Sequence, residues 1–187
     1  MKKVLTLMLT ALTVLGLTES CDDAGCTLYN STNCQITFYN GSGNVTALEE
    51  YLTVSAAGTK NVILNKGQGI STFFIQLSYT NEVDTLLFEH WTTTTTVHTE
   101  TDNEGNETTT EVEEETDHVV DTLFIRKKSF PHFESPDCGT AYFHDIKEAD
   151  CENDIRYLDK GLLDIAYLNH PQVYYNSSDN IRLYINQ

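Results

Sequence analysis

Basic residues are scarce in this sequence. Only 11 Lys and Arg stand against 28 Asp and Glu in 187 residues, a formal net charge of −17. A surface of that sign repels phosphate backbones and anionic headgroups, which argues against nucleic acid as a partner. After residue 20 there is no apolar run long enough to span a bilayer, which takes roughly twenty residues. The signatures of catalysis are missing too. His90, His98, His118, His132, His144 and His170 are scattered, with no His-Glu-x-x-His or Cys-x-x-Cys spacing. Gly67-Gln68-Gly69 lacks the third glycine of a dinucleotide fingerprint, and there is no Gly-x-Ser-x-Gly elbow. Carboxylates are too numerous for any pair to be singled out as an acid and base. The expectation is therefore a non-enzymatic protein without catalytic residues, metal ligands or cofactor.

What is present begins with an export signal. Lys2 and Lys3 precede an apolar stretch over residues 4–17, and Thr18-Glu19-Ser20 leads into Cys21. About fourteen residues suit a secretory h-region and are too few for a transmembrane helix. A cysteine directly after a small residue at the cleavage point fits bacterial lipoprotein processing, in which the Cys21 sulfur takes a diacylglycerol and the amine freed by cleavage is acylated. Plain secretion is the alternative, since Thr18 and Ser20 suit an ordinary signal peptidase and Thr18 is not the usual Leu or Val. Parity favours lipidation. Cys21, Cys26, Cys34, Cys138 and Cys151 make an odd count, and acylating Cys21 leaves four that can pair. Several acyl chains, at about 0.8 kcal/mol per buried methylene, make a stable anchor.

The expected organisation is a signal peptide over 1–20, a lipidated tether over 21–33 and one β-sandwich domain over 34–187. Loss of residues 1–20 leaves 9 basic and 27 acidic residues, a net charge near −18. Cys34, Ile36 and Phe38 alternate with Gln35, Thr37 and Tyr39, a period of two that buries one face. Residues 40–44 form a turn cluster. Further strands are expected over 45–54, 61–64 and 71–78, with a last one carrying Ile181, Leu183 and Ile185. A short helix is expected around 154–163, weakened by Gly161. Many short strands between Gly/Asn turns predict an all-β, two-sheet antiparallel sandwich of the Greek-key type.

Val83-Asp84-Thr85-Leu86-Leu87-Phe88 is echoed by Val120-Asp121-Thr122-Leu123-Phe124-Ile125, as if two strands enter one core with the same chemistry. Between the copies, residues 92–117 hold eleven threonines, nine carboxylates and no Lys or Arg. A four-residue loop over 103–106 would set Val97 opposite Val112 and Leu86 opposite Leu123, making one long acidic hairpin arm. Threonine favours strands, but an isolated ribbon is marginal in water. The arm is expected to project, or to order against a protein or glycan partner. Asp102, Glu104 and Asn106 have the alternate spacing of a calcium loop without the Asp-x-Asp-x-Asp-Gly order, and solvated charge is the preferred reading. Trp91, the only tryptophan, lies at the root of the arm, where it serves strand-edge packing or sugar stacking. Arg126-Lys127-Lys128 is expected to neutralise nearby carboxylates.

Four cysteines allow three pairings. Cys34 is in phase with the buried face, so one set is Cys26–Cys138 with Cys34–Cys151; the local set is Cys26–Cys34 with Cys138–Cys151. A Cys26–Cys138 bridge would close a loop of about 112 residues, worth about 4 to 5 kcal/mol in the chain-entropy model.

These features together resemble a family of uncharacterised Bacteroidota lipoproteins carrying a domain of unknown function. The likeness rests on Cys26 with Phe38-Tyr39, on Asp121-Thr122-Leu123 leading to Ser135-Pro136-Asp137-Cys138-Gly139 and Ala141-Tyr142-Phe143, and on the closing Ile181-Arg182-Leu183-Tyr184-Ile185. The arm, Cys34 and Cys151 depart from the pattern. The resemblance implies a lipid-anchored β-rich domain and brings no catalytic residue. Asp22-Asp23 is similar to the acidic tag that sends such lipoproteins to the outer face, so surface display on the outer membrane is favoured over the periplasmic face. The expected role is a binding or interaction module. The alternatives are a small hydrolase or carbohydrate-processing accessory, to be recognised by a cleft of converging histidine and carboxylates, and a purely structural envelope protein.

Overall fold

In the computed structural model, residues 32–59, 61–101, 107–133, 139–154, 161–175 and 178–186 are described. The ten strands are β1 (Asn33–Tyr39), β2 (Leu52–Ala56), β3 (Val62–Gly67), β4 (Thr72–Gln76), β5 (Val83–Thr101), β6 (Glu107–His132), β7 (Ala141–Glu152), β8 (Leu163–Leu168), β9 (Gln172–Val173) and β10 (Ile181–Ile185). They form a four-stranded sheet ordered β4-β1-β10-β8 and a six-stranded sheet ordered β3-β2-β5-β6-β7-β9. Two sheets face to face make the sandwich that the alternating patterns predicted.

The alternation decides which face is buried. Ile36 and Phe38 of β1 and Ile181 and Leu183 of β10 turn inward and are fully buried, as are Val54, Phe88, Leu123 and Ile125 from the larger sheet. Phe73 of β4 stands edge-on to Phe88 at 6.2 Å and 5.7 Å from Phe38, tying the two layers together. One pair departs from the antiparallel expectation. β1 and β10 run parallel, with Ile36 beside Ile181 and Phe38 beside Leu183. Parallel neighbours need a long crossover, and here that crossover is almost the whole domain, so the fold closes only when its last strand reaches its first.

The local corrections have clear causes. The stretch expected as a strand over 45–54 is strand only from Leu52. Asn40 Oδ1 accepts the Ser42 and Asn44 amides, Gly43 turns at φ 78°, and the chain returns to make a single bridge between Tyr39 and Val45. Leu48 is then held by Ile70 and Gly69 rather than by a ladder. Residues 155–160 of the expected short helix lie outside the described residues. Its far end is not helical, because Leu163 opens β8 and pairs with Ile185, and no helix occurs among the described residues.

The long hairpin has the predicted register up to His98; beyond it the pairing shifts by one residue, so that Thr101 rather than Asp102 lies opposite Glu107. Leu86 pairs with Leu123 and Val97 with Val112, and pairing continues to Thr101 and Glu107 past a bulge at His98/Thr99.

Candidate binding site at the root of the arm

The echoed segments pair with each other. Leu86 and Leu123 are counterparts in the two copies and also face one another, so a local two-fold axis passes between them. Around it Asp84 lies opposite Ile125, and Asp121 lies opposite Phe88. Each copy therefore delivers one inward aspartate to one end of the core. Extended by two residues, the echo aligns Glu89-His90 with Arg126-Lys127. The axis thus maps the pair Asp84–Lys127 onto the pair Asp121–His90.

The two ends are resolved differently. At the first, Lys127 Nζ lies 2.9 Å from Asp84 Oδ2, and its side chain is fully buried. Lys127 also donates to the Asn81 carbonyl at 2.7 Å, and Asp84 accepts the Ser78 amide at 3.0 Å. Ser129 and His144 Nδ1 are in contact at 2.8 Å beside them. Burial, aided by the Lys127 charge, lowers the His144 pKa to about 4. Charge and hydrogen bonds are closed within the protein at this end. Arg126 reaches Glu148 at 3.0 Å on the surface, so the basic cluster neutralises carboxylates as its sequence suggested.

At the second end, Asp121 is fully buried and accepts three amides. Leu162 N–H donates at 2.6 Å, Leu163 N–H at 3.0 Å and Asp154 N–H at 3.1 Å. A carboxylate is well suited to several backbone donors, and this one holds the chain where β7 hands over to β8. His90 is the odd member. It is only 4% exposed, yet neither ring nitrogen has a hydrogen-bond partner among the described residues. Nε2 stands 3.9 Å from Asp121 Oδ2 and Nδ1 stands 3.7 Å from Glu50 Oε2, both beyond hydrogen-bond reach. Burial lowers the His90 pKa against the opposing pull of Asp121 and Glu50, so the ring is neutral near pH 7. A cavity of about 360 Å³ opens in front of it, with Glu49, Glu50, Thr92 and Leu162 in its wall.

A second depression lies on the outer face of the same sheet. Leu52 pairs with His90, which sets Tyr51 level with Trp91, and Trp91 pairs with His118. The Trp91 and His118 rings stack at 4.8 Å. Trp91 remains 40% exposed and Tyr51 56% exposed, so aromatic surface runs across adjacent strands. With Glu50, Lys66 and Thr93 they line a groove of about 710 Å³. Glu50 borders both hollows, one on each side of β5. The sequence pointed to Trp91; it gave no warning of Tyr51 as its neighbour or of His90 as an unpartnered ring.

The cysteines need correction. Cys34 and Cys151 are free thiols, so the expected bridge between them is not made. Cys34 lies beyond the Ile36–Ile181 pair, whereas the Cys151 thiol donates to the Asp164 carbonyl near the opposite end of β10. At least three residues of strand rise, roughly 10 Å at about 3.3 Å per residue, and two strand spacings separate them. That exceeds the Cα separation of about 7 Å a disulfide tolerates. Burial, helped by the Asp84 charge, raises the Cys34 pKa to about 12. Burial also raises that of Cys151. Cys21, Cys26 and Cys138 lie outside the described residues, as do residues 102–106 of the calcium alternative. With Cys34 and Cys151 free, three cysteines remain, and a Cys26–Cys138 bridge would still leave Cys21 over.

The sequence profile of a family of unknown function, DUF6452, matches residues 51–185. No curated protein and no solved structure matches the chain.

Proposed function

The chain belongs to the DUF6452 family of unknown function, and on that premise we propose that it is a lipid-anchored envelope protein that binds glycans at the root of its acidic arm. The observation that carries the reading is the exposed Tyr51–Trp91–His118 row with Glu50 and Lys66 at its border. Aromatic faces offer apolar area to the C–H face of a sugar ring, and the flanking carboxylate and ammonium can hydrogen-bond its hydroxyls. The strongly acidic surface favours neutral or cationic saccharides over uronates and sulfated chains. The export signal and Cys21 support attachment to the outer membrane, with Asp22-Asp23 favouring the cell surface. The arm would then present the site away from the membrane.

The test is glycan-array binding of the wild type against Trp91→Ala. A small set of bound saccharides lost in the variant supports the reading; equal binding by both removes it. Protease shaving of intact cells expressing wild type or Cys21→Ala checks the anchor, because only an acylated, surface-displayed chain is cell-associated and cleaved.

A hydrolytic reading has one observation in its favour, the convergence of His90, Glu50 and Asp121 on a cavity. Against it, Asp121 already accepts three amides and does not reach His90, and Thr92 is the only hydroxyl side chain among the described residues of the cavity wall. Release of reducing ends from array-positive glycans, abolished in His90→Gln, would favour catalysis.

A further inference from the structure

We propose that the cavity in front of His90 is a receptor for a cationic nitrogen, the ammonium group of an amino sugar or of a lysine side chain. The inference is independent of what the Trp91 groove binds.

Three observations carry it. First, the local two-fold axis that relates Asp84 to Asp121 relates Lys127 to His90. At one end an internal ammonium lies 2.9 Å from its aspartate. At the other the corresponding side chain carries no charge at neutral pH, and open volume lies in front of it. An external ammonium would supply the charge that Lys127 supplies at the mate end.

Second, His90 is an unpartnered buried side chain lining this cavity. A neutral imidazole has one N–H donor and one bare acceptor nitrogen. Each ring nitrogen faces a carboxylate that has no hydrogen to give; when Nδ1, on the Glu50 side, accepts from a donor in the cavity, the ring proton stands on Nε2 towards Asp121. Nδ1 and Glu50 Oε2 are then two acceptors 3.7 Å apart with no hydrogen between them. A nitrogen about 2.9 Å from both can satisfy the two at once. It must bring at least two hydrogens, which an ammonium or a water molecule does and an alcohol hydroxyl does not; the charge of the site separates the first from the second.

Third, the sign of the field is one-sided. Glu49 and Glu50 line the cavity, and Asp121 is buried behind His90. Among the described residues no Lys or Arg is in the cavity wall. Two like charges 4 Å apart repel by about 4 kcal/mol near a protein surface, so an anion is refused where a cation is drawn in.

The experiment titrates the isotope-labelled full chain with n-butylamine and, separately, n-butanol, following the His90 ring nitrogens by NMR. Butylamine should move them saturably while butanol at equal concentration does not. Glu50→Gln, at an exposed position that leaves the core intact, should weaken the amine at least tenfold. Trp91→Ala should leave it unchanged. Glucosamine against N-acetylglucosamine, and Nα-acetyl-lysine amide against its norleucine analogue, then identify the source; one charged member should bind at least tenfold more tightly than its neutral counterpart. Equal response to butanol, silence of the His90 nitrogens, or undiminished binding by Glu50→Gln overturns the proposal.

Discussion

Lys127 Nζ lies 2.9 Å from Asp84 Oδ2 inside the sandwich, and the two-fold axis between Leu86 and Leu123 carries this pair onto His90 and Asp121, which stand 3.9 Å apart. The same strand chemistry, used twice, has produced one closed end and one open end. The open end adjoins the arm and the exposed tryptophan.

The closed end should be important for stability. Removing one partner of a buried ion pair leaves the other uncompensated, at about 3 to 5 kcal/mol. Lys127→Met should therefore lower the free energy of unfolding by that order in urea titrations. A loss under 1 kcal/mol would mean that the pair is solvated in solution.

Asp121 holds three amides, and an asparagine there would turn its NH2 group toward donors. Hydrogen bonds to charged groups contribute about 1.5 to 3 kcal/mol each. Asp121→Asn should destabilise by at least 2 kcal/mol and accelerate amide exchange at Leu162 and Leu163 first. Unchanged protection at those amides would contradict the assignment.

Burial depresses the pKa of both His90 and His144, the latter to about 4. Neutral histidine in the fold against protonated histidine in the unfolded chain makes stability rise with pH. The contribution is complete above about pH 6.5 and is lost as pH falls towards 4, on the order of 3 kcal/mol for His144 alone. Denaturation midpoints measured from pH 7.5 to 4 should fall, and His144→Gln should flatten the slope. A flat wild-type profile would rule this out.

The thiols give a chemical test. Native protein should leave Cys34 unlabelled by a thiol reagent, since burial raises its pKa to about 12. Denatured, unreduced protein should take label at Cys34 and Cys151 while Cys26 and Cys138 stay crosslinked. Peptide mapping that finds Cys34 joined to Cys151 would overturn the free-thiol assignment.

Much of this architecture was legible in the sequence. The alternation around Ile36 and around Leu183 gave two core strands, and the echoed segments gave the Leu86–Leu123 and Val97–Val112 pairings because hairpin register follows from matching apolar partners. The open end was legible in part. Carrying the echo two residues further would have aligned His90 with Lys127 and marked the histidine as a substitution for a buried cation. The parallel β1–β10 pair was hidden because alternation reports which face is buried, not which neighbour a strand takes. Cys34 could be read as inward-facing, but its distance from Cys151 depends on that same hidden topology.

A crystal soaked in n-butylamine tests the open end most directly. The account predicts a nitrogen bridging His90 Nδ1 and the Glu50 carboxylate, with the Asp84–Lys127 pair undisturbed. An empty cavity, or a His90 ring hydrogen-bonded within the protein and closed to the amine, would contradict it.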